Sequence, residues 1–175
     1  MTRFDLAGRL AVGVAAASVV VVAATAVAVA RPGVRAALGL TSGAYAARQR
    51  IDIPARAYDS ASYTLVLFAR STCAACQRSS IFFKQLVAEA VADDIDVRLV
   101  SSAPVASEEL AYARELGFEE RQVVPLDLRA LRLRLVPTIV LVDRQGEIHY
   151  AREGAVPAGE QGDLLRRMTS LTKAR

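Results

Sequence analysis

The sequence predicts an α/β domain on a central mixed sheet flanked by helices, preceded by one N-terminal transmembrane helix. Three features predict it. An uncharged run of 21 residues occupies Leu10 to Ala30. Two compact apolar runs, YTLVLFA at Tyr63–Ala69 and TIVLV at Thr138–Val142, have the length and β-branching of strands buried on both faces. Between and after them, apolar residues recur at helical spacing.

The first run (LAVGVAAASVVVVAATAVAVA) would make about 31 Å of helix, which matches a hydrocarbon core of about 30 Å. It has no polar face, so a buried soluble helix is the weaker reading. Ala28-Val29-Ala30 also resembles a signal-peptide cleavage end, with Arg3 and Arg9 before the run. The run exceeds the usual signal core of about 7–15 residues, and Pro32 follows it, so an uncleaved anchor is preferred. The expected organisation is a flank at 1–9, an anchor at 10–30, a tether at 31–59 and a domain at 60–175.

Charge follows the same partition. The formal net charge is +4. From Gly43 onward there are 18 basic and 17 acidic residues, and the remaining excess flanks the apolar run. The high pI therefore gives no argument for nucleic acid. The tether is rich in Ala, Arg, Ser and Gly and offers little to a core, apart from a possible short edge strand at Arg50–Ile53.

Within the domain, the strand at 63–69 leads to Ser71 and Thr72, which offer helix N-caps. Ile81, Phe82, Leu86, Val87 and Ala90 then predict a helix over 74–92. A second strand is expected at 96–101, and a helix at 107–116 closed by Gly117. A short extended piece at Val123-Val124 and a short helix at 126–131 follow. The strand at 138–142, the turn Asp143–Gly146 and a returning strand at 147–152 make a hairpin. A final amphipathic helix spans 159–171. The first strand, helix and second strand form a parallel βαβ unit, and the last two strands are antiparallel.

The only cysteines, Cys73 and Cys76, stand where the first strand gives way to its helix. Unpaired N–H groups and the positive end of the helix dipole favour a thiolate at Cys73. Cys76, one turn later, could resolve a mixed disulfide formed there. A zinc site wants four Cys or His ligands, and the chain has two cysteines and one histidine, His149. No metal site is expected. A structural disulfide would close only a short loop and stabilise little. Redox chemistry is preferred, with the structural reading left open.

The stretch Leu65–Cys76 (LVLFARSTCAAC) resembles the active-site strand and loop of the thioredoxin-like superfamily. Leu133–Asp143 (LRLVPTIVLVD) resembles its second signature. The likeness implies a cis bond before Pro137, a Pro137 loop facing the cysteines, and backbone of Val136 offered to substrate. Thr72, in the place where relatives carry Trp, is the third expected substrate contact. The buried acid that assists proton transfer in thioredoxin is replaced by Leu67. Glu108 and Glu109 are the nearest downstream acids, but they read as first-turn helix residues. Arg129, Arg132 and Arg134 read as solvated charge, with a rim for acidic partners as the lesser alternative.

Joined to a membrane anchor, the likeness is to TlpA-like envelope thiol-disulfide oxidoreductases. It implies reduction of disulfides in specific envelope proteins, as in cytochrome c maturation. It also implies electrons from an integral-membrane donor, and a single pass in a bacterial inner membrane with the domain outside. No cofactor beyond the redox-active disulfide is implied. Two alternatives stand: an oxidant or isomerase maturing a secreted enzyme, and a non-enzymatic metal or haem chaperone.

Overall fold

A computed structural model describes residues 45–173. The expected flank, the anchor at 10–30 and the first part of the tether lie outside the described residues. Among the described residues, no helix is long and apolar enough to cross a membrane.

Five strands make one sheet in the order β3-β2-β1-β4-β5. They are β1 (Tyr63–Phe68), β2 (Asp96–Ser102), β3 (Val123–Leu126), β4 (Thr138–Asp143) and β5 (Ile148–Glu153). The pairs β1–β2 and β2–β3 are parallel, and β1–β4 and β4–β5 are antiparallel. Phe68 stands opposite Val100 of β2 and Thr138 of β4, so the end of β1 lies beside the last part of β2 and the start of β4. The helices are α1 (Ala74–Arg78), α2 (Ser80–Ala92), α3 (Ser107–Glu115) and α4 (Ala158–Lys173).

Strand side chains alternate between two faces. Leu65, Leu67, Val97, Leu99, Ile139 and Leu141 join one core with Phe83, Leu86, Tyr112, Leu116, Leu164 and Met168 from the helices. Val66, Phe68, Val100, Val140, Val142 and Ile148 form the other. No helix covers that second face among the described residues. Two irregular stretches do. The first carries Tyr45, Ile51, Ile53, Ala57 and Tyr58, all buried, and includes a 3₁₀ turn at Ala55–Ala57. The second runs between β3 and β4 and contributes Leu128, Leu131 and Leu133.

This corrects the expected tether. From Tyr45 to Tyr58 the chain is part of the core, because two aromatic and two branched aliphatic side chains suffice to seal a strip of sheet without any regular period. The ring of Tyr45 stacks on Phe68 at 5.4 Å. The edge strand foreseen at 50–53 reduces to one bridge, Arg50 with Glu147.

Two further expectations change. The helix over 74–92 is broken at Ser79, whose φ of −94° and ψ of 1° leave the α region. The helix foreseen at 126–131 is absent. Leu126 completes β3, and the Asp127 carboxylate then accepts the Arg129 N–H at 3.0 Å, which favours a turn over a helix.

Candidate active site

The site lies beyond the carboxyl end of β1, the end of the strands at which open α/β sheets place their ligands. Cys73 and Cys76 are joined as a disulfide with Cα atoms 5.2 Å apart. Cys73 is the N-cap of α1, in place of the expected Ser71 or Thr72. Its Sγ accepts the Cys76 N–H at 3.1 Å. A sulfur can take the capping role because it sits on the Cβ of a residue with extended backbone, at φ −86° and ψ 111°, as the oxygen of a capping serine does. An N–H aimed at a sulfur favours its ionised form once the disulfide opens.

The two sulfurs are unequal. Cys73 is partly exposed, while Cys76 is fully buried among Leu67, Phe82 and other residues of the helical core. The outer cysteine is partly open to solvent and the inner one is closed off from it. That asymmetry suits an attacking and a resolving thiol.

The Val136–Pro137 peptide bond is cis, as is Ala103–Pro104. The Val136 carbonyl oxygen lies 3.6 Å from Cys73 Sγ, and Pro137 next to it in the chain is buried. The Pro137 carbonyl accepts the Gly154 N–H at 2.8 Å, which ties this loop to the end of β5. Thr72 is exposed beside the disulfide. The structure thus brings Val136 up to Cys73 with Thr72 exposed next to it in the chain, while Cys76 and Pro137 are buried.

Other candidates fall elsewhere. His149 lies on edge strand β5, with its Nε2 2.9 Å from Asp143. Burial tends to raise the Asp143 carboxyl, but His149 and the N–H groups of Glu147 and Gln145 outweigh it and hold it below the usual carboxylate range. Arg129 and Arg134 are exposed. Arg132 is exposed too, but it pairs with Asp52 at 3.4 Å and so braces the second face.

Glu109 lies in the first turn of its helix, as expected, but its side chain is buried, at 8% exposed. Its carboxylate accepts from Ser71, on the turn before Cys73, and from Ser101, near the end of β2. A glutamate early in a helix looks the same in sequence whether it caps its own helix or reaches across to another loop. The one available hint was the pair of serines that end β2.

What this arrangement can carry out is thiol-disulfide exchange, and the class it defines is a thiol-disulfide oxidoreductase on an α/β sheet. The sequence matches the thioredoxin-like domain family over residues 55–169, and the chain belongs to that family. Solved structures similar in fold include the thioredoxin domain of a thiol-disulfide oxidoreductase from Bacteroides vulgatus (14% identity, 71% of this chain and 99% of that one, TM-score 0.54). Another is a protein assigned as the thiol:disulfide interchange protein DsbE from Chlorobium tepidum (19% identity, 65% and 82%, TM-score 0.53). A third, described as DsbF from MTB, shares 16% identity over 68% of this chain and 98% of its own, with a TM-score of 0.50. No curated protein matches the chain.

Proposed function

We propose that the protein is a membrane-anchored protein-disulfide reductase that acts on specific envelope proteins, such as those of cytochrome c maturation. The observation that carries the exchange chemistry is the asymmetric pair: an accessible Cys73 sulfur capped by the Cys76 N–H, with Cys76 buried behind it. The anchor rests on the uncharged run Leu10–Ala30. An anchored redox domain is of most use outside the cytoplasm, where disulfides persist.

In the forward reaction the Cys73 thiolate attacks one sulfur of a substrate disulfide. A Cys73–substrate bond forms, and the substrate S–S bond breaks to release one thiolate. Cys76, deprotonated, then attacks Cys73 Sγ, and the second substrate thiolate leaves. The substrate gains two electrons and two protons, and the protein ends in the disulfide state seen here. Thr72 and the Val136 backbone would hold the substrate strand beside Cys73. A membrane-embedded dithiol donor would return the pair of electrons.

The test is Cys76→Ser in the full chain. Mixed disulfides through Cys73 should accumulate on a non-reducing gel, disappear with added dithiothreitol, and be absent in Cys73→Ser/Cys76→Ser. Absence of any trapped partner in cells, with the protein folded and membrane-bound, sinks the proposal. The direction is read from the reduction potential: well below about −200 mV fits a reductant, and near about −120 mV an oxidant.

A further inference from the structure

A buried carboxylate stands against the active-site loop without entering the exchange steps. Glu109 projects from the first turn of α3. Its Oε1 accepts both the backbone N–H of Ser71, at 3.0 Å, and the Ser71 hydroxyl, at 2.7 Å. Its Oε2 accepts the hydroxyl of Ser101 at 2.9 Å, itself fully buried in β2. Three donors compensate a charge that would otherwise be costly at this depth.

Ser71 is gripped from its other side as well. Its carbonyl oxygen accepts from Gln77 Nε2 at 2.6 Å. The Cys73 N–H reaches back to the Arg70 carbonyl at 3.1 Å. The turn that delivers Cys73 is therefore bound to β2 and α3 through one residue, Ser71, and through one acid, Glu109.

The inference rests on the dithiol reading above. We infer that Glu109 is a positioning residue for Cys73, holding the Arg70–Thr72 turn so that Cys73 Sγ stays over the Cys76 N–H when the disulfide is open. In the oxidised protein the S–S bond itself holds Cys73 in place. In the dithiol that bond is gone, and the Ser71 anchor is what keeps the sulfur at its N–H donor. A sulfur that drifts from this donor loses a hydrogen bond to its ionised form, and its pKa rises. Glu109 touches no reacting atom and acts through Ser71.

Two effects of this acid oppose each other. As an anchor it favours the Cys73 thiolate, whereas as a negative charge it disfavours it. Glu109→Gln separates them, since it keeps an acceptor for Ser71 and removes the charge. The experiment follows alkylation of Cys73 by iodoacetamide against pH, by mass spectrometry, in the reduced full chain. Glu109→Ala should raise the midpoint by about half to one pH unit, which leaves about three- to tenfold less thiolate below the midpoint. Glu109→Gln should bring the midpoint back to the wild-type value or slightly below. Ser71→Ala should move it in the same direction as Glu109→Ala but less, because the N–H contact survives.

A folded Glu109→Ala with an unchanged or lowered midpoint overturns the inference. Where that variant does not fold, an unshifted Ser71→Ala midpoint overturns it. An ordinary thiol midpoint near about 8.5 in the wild type, together with no trapped partner in Cys76→Ser, sinks the exchange reading itself, and this inference with it.

Discussion

The two faces of the sheet are covered by different kinds of chain. On one, three helices, α2, α3 and α4, lay down Phe83, Leu86, Tyr112, Leu164 and Met168 at helical spacing over Leu65, Leu67, Ile139 and Leu141. On the other, irregular chain places Tyr45, Ile51, Ile53 and Tyr58 over Val66, Phe68, Val140 and Val142. The helical cover supplies its own backbone hydrogen bonds. The irregular cover makes a few backbone bonds to the hairpin, such as the Ile51 N–H to the Gly146 carbonyl at 2.9 Å, and is tied down by side chains as well: Asp52 accepts from the Tyr45 hydroxyl and from the Arg132 N–H at 2.9 Å, and Arg132 in turn donates to the Arg50 carbonyl. The lesson is that a core can be closed by a few anchored residues, and that such a cover depends more on its polar ties than a helix does.

The largest test of this comparison is removal of the irregular cover. Four large side chains leave with residues 45–58, each stabilising by about 1.5–3 kcal/mol when fully buried. Their sum rivals the whole stability of an ordinary domain, about 5–15 kcal/mol. A chain of residues 43–175 should melt cooperatively, whereas one of residues 60–175 should show no cooperative transition and should bind a hydrophobic dye. The family match begins at residue 55 and so leaves out Tyr45, Ile51 and Ile53. If both fragments melt alike, the second face does not need its cover and the comparison fails.

The same contrast explains what could be read from the sequence. The central strands announce themselves as unbroken apolar runs because both their faces are buried, and the helices over 80–92 and 158–173 because burial of one face imposes a period on the residues. Cys73 and Cys76 are legible because thiol-disulfide exchange calls for two cysteines at close spacing, and Pro137 is legible through the resemblance of LRLVPTIVLVD to a known signature. The cover at 45–58 was not, since its buried residues are separated by Asp52, Pro54 and Arg56 with no period at all. Glu109 was missed for a related reason. Its partner Ser71 is 38 residues away, and no local pattern reports a bond across the sheet's end.

A smaller effect is expected where the irregular cover meets the hairpin. Gly146 has φ +79°, and a Cβ there would stand 2.7 Å from the Tyr58 hydroxyl oxygen. Gly154 has nearly the same φ, +81°, but a Cβ there would meet only Leu135 at 3.7 Å. Gly154→Ala should therefore show the backbone cost alone, about 1–2 kcal/mol. Gly146→Ala should cost more, up to about 3 kcal/mol, because Tyr58 must also move. Denaturant midpoints of the two variants measure the difference. Equal losses would mean that Tyr58 is held loosely and seals little.

The smallest effect is a pH dependence of the polar tie. Burial tends to raise the Asp52 carboxyl, but the Tyr45 hydroxyl, the Arg132 N–H and the Arg132 charge outweigh it and hold it below the ordinary carboxylate range. Burial and Asp52 together push the Tyr45 hydroxyl far above its usual value, so it remains a donor throughout. A carboxyl depressed in the folded state adds stability above its unfolded pKa of about 3.9, and loses it as pH falls through the lower folded value. Because Asp52 is partly exposed, the contribution should be on the order of 0–1 kcal/mol. The stability difference between wild type and Asp52→Asn should be constant above about pH 5 and shrink below about pH 4. Tyr45→Phe should flatten that slope, since it removes the hydrogen bond that does most to lower the carboxyl. A matching slope in Phe83→Leu, whose site touches the helical face alone, would show that acid weakens the sheet generally and that the tie at Asp52 has no share in it.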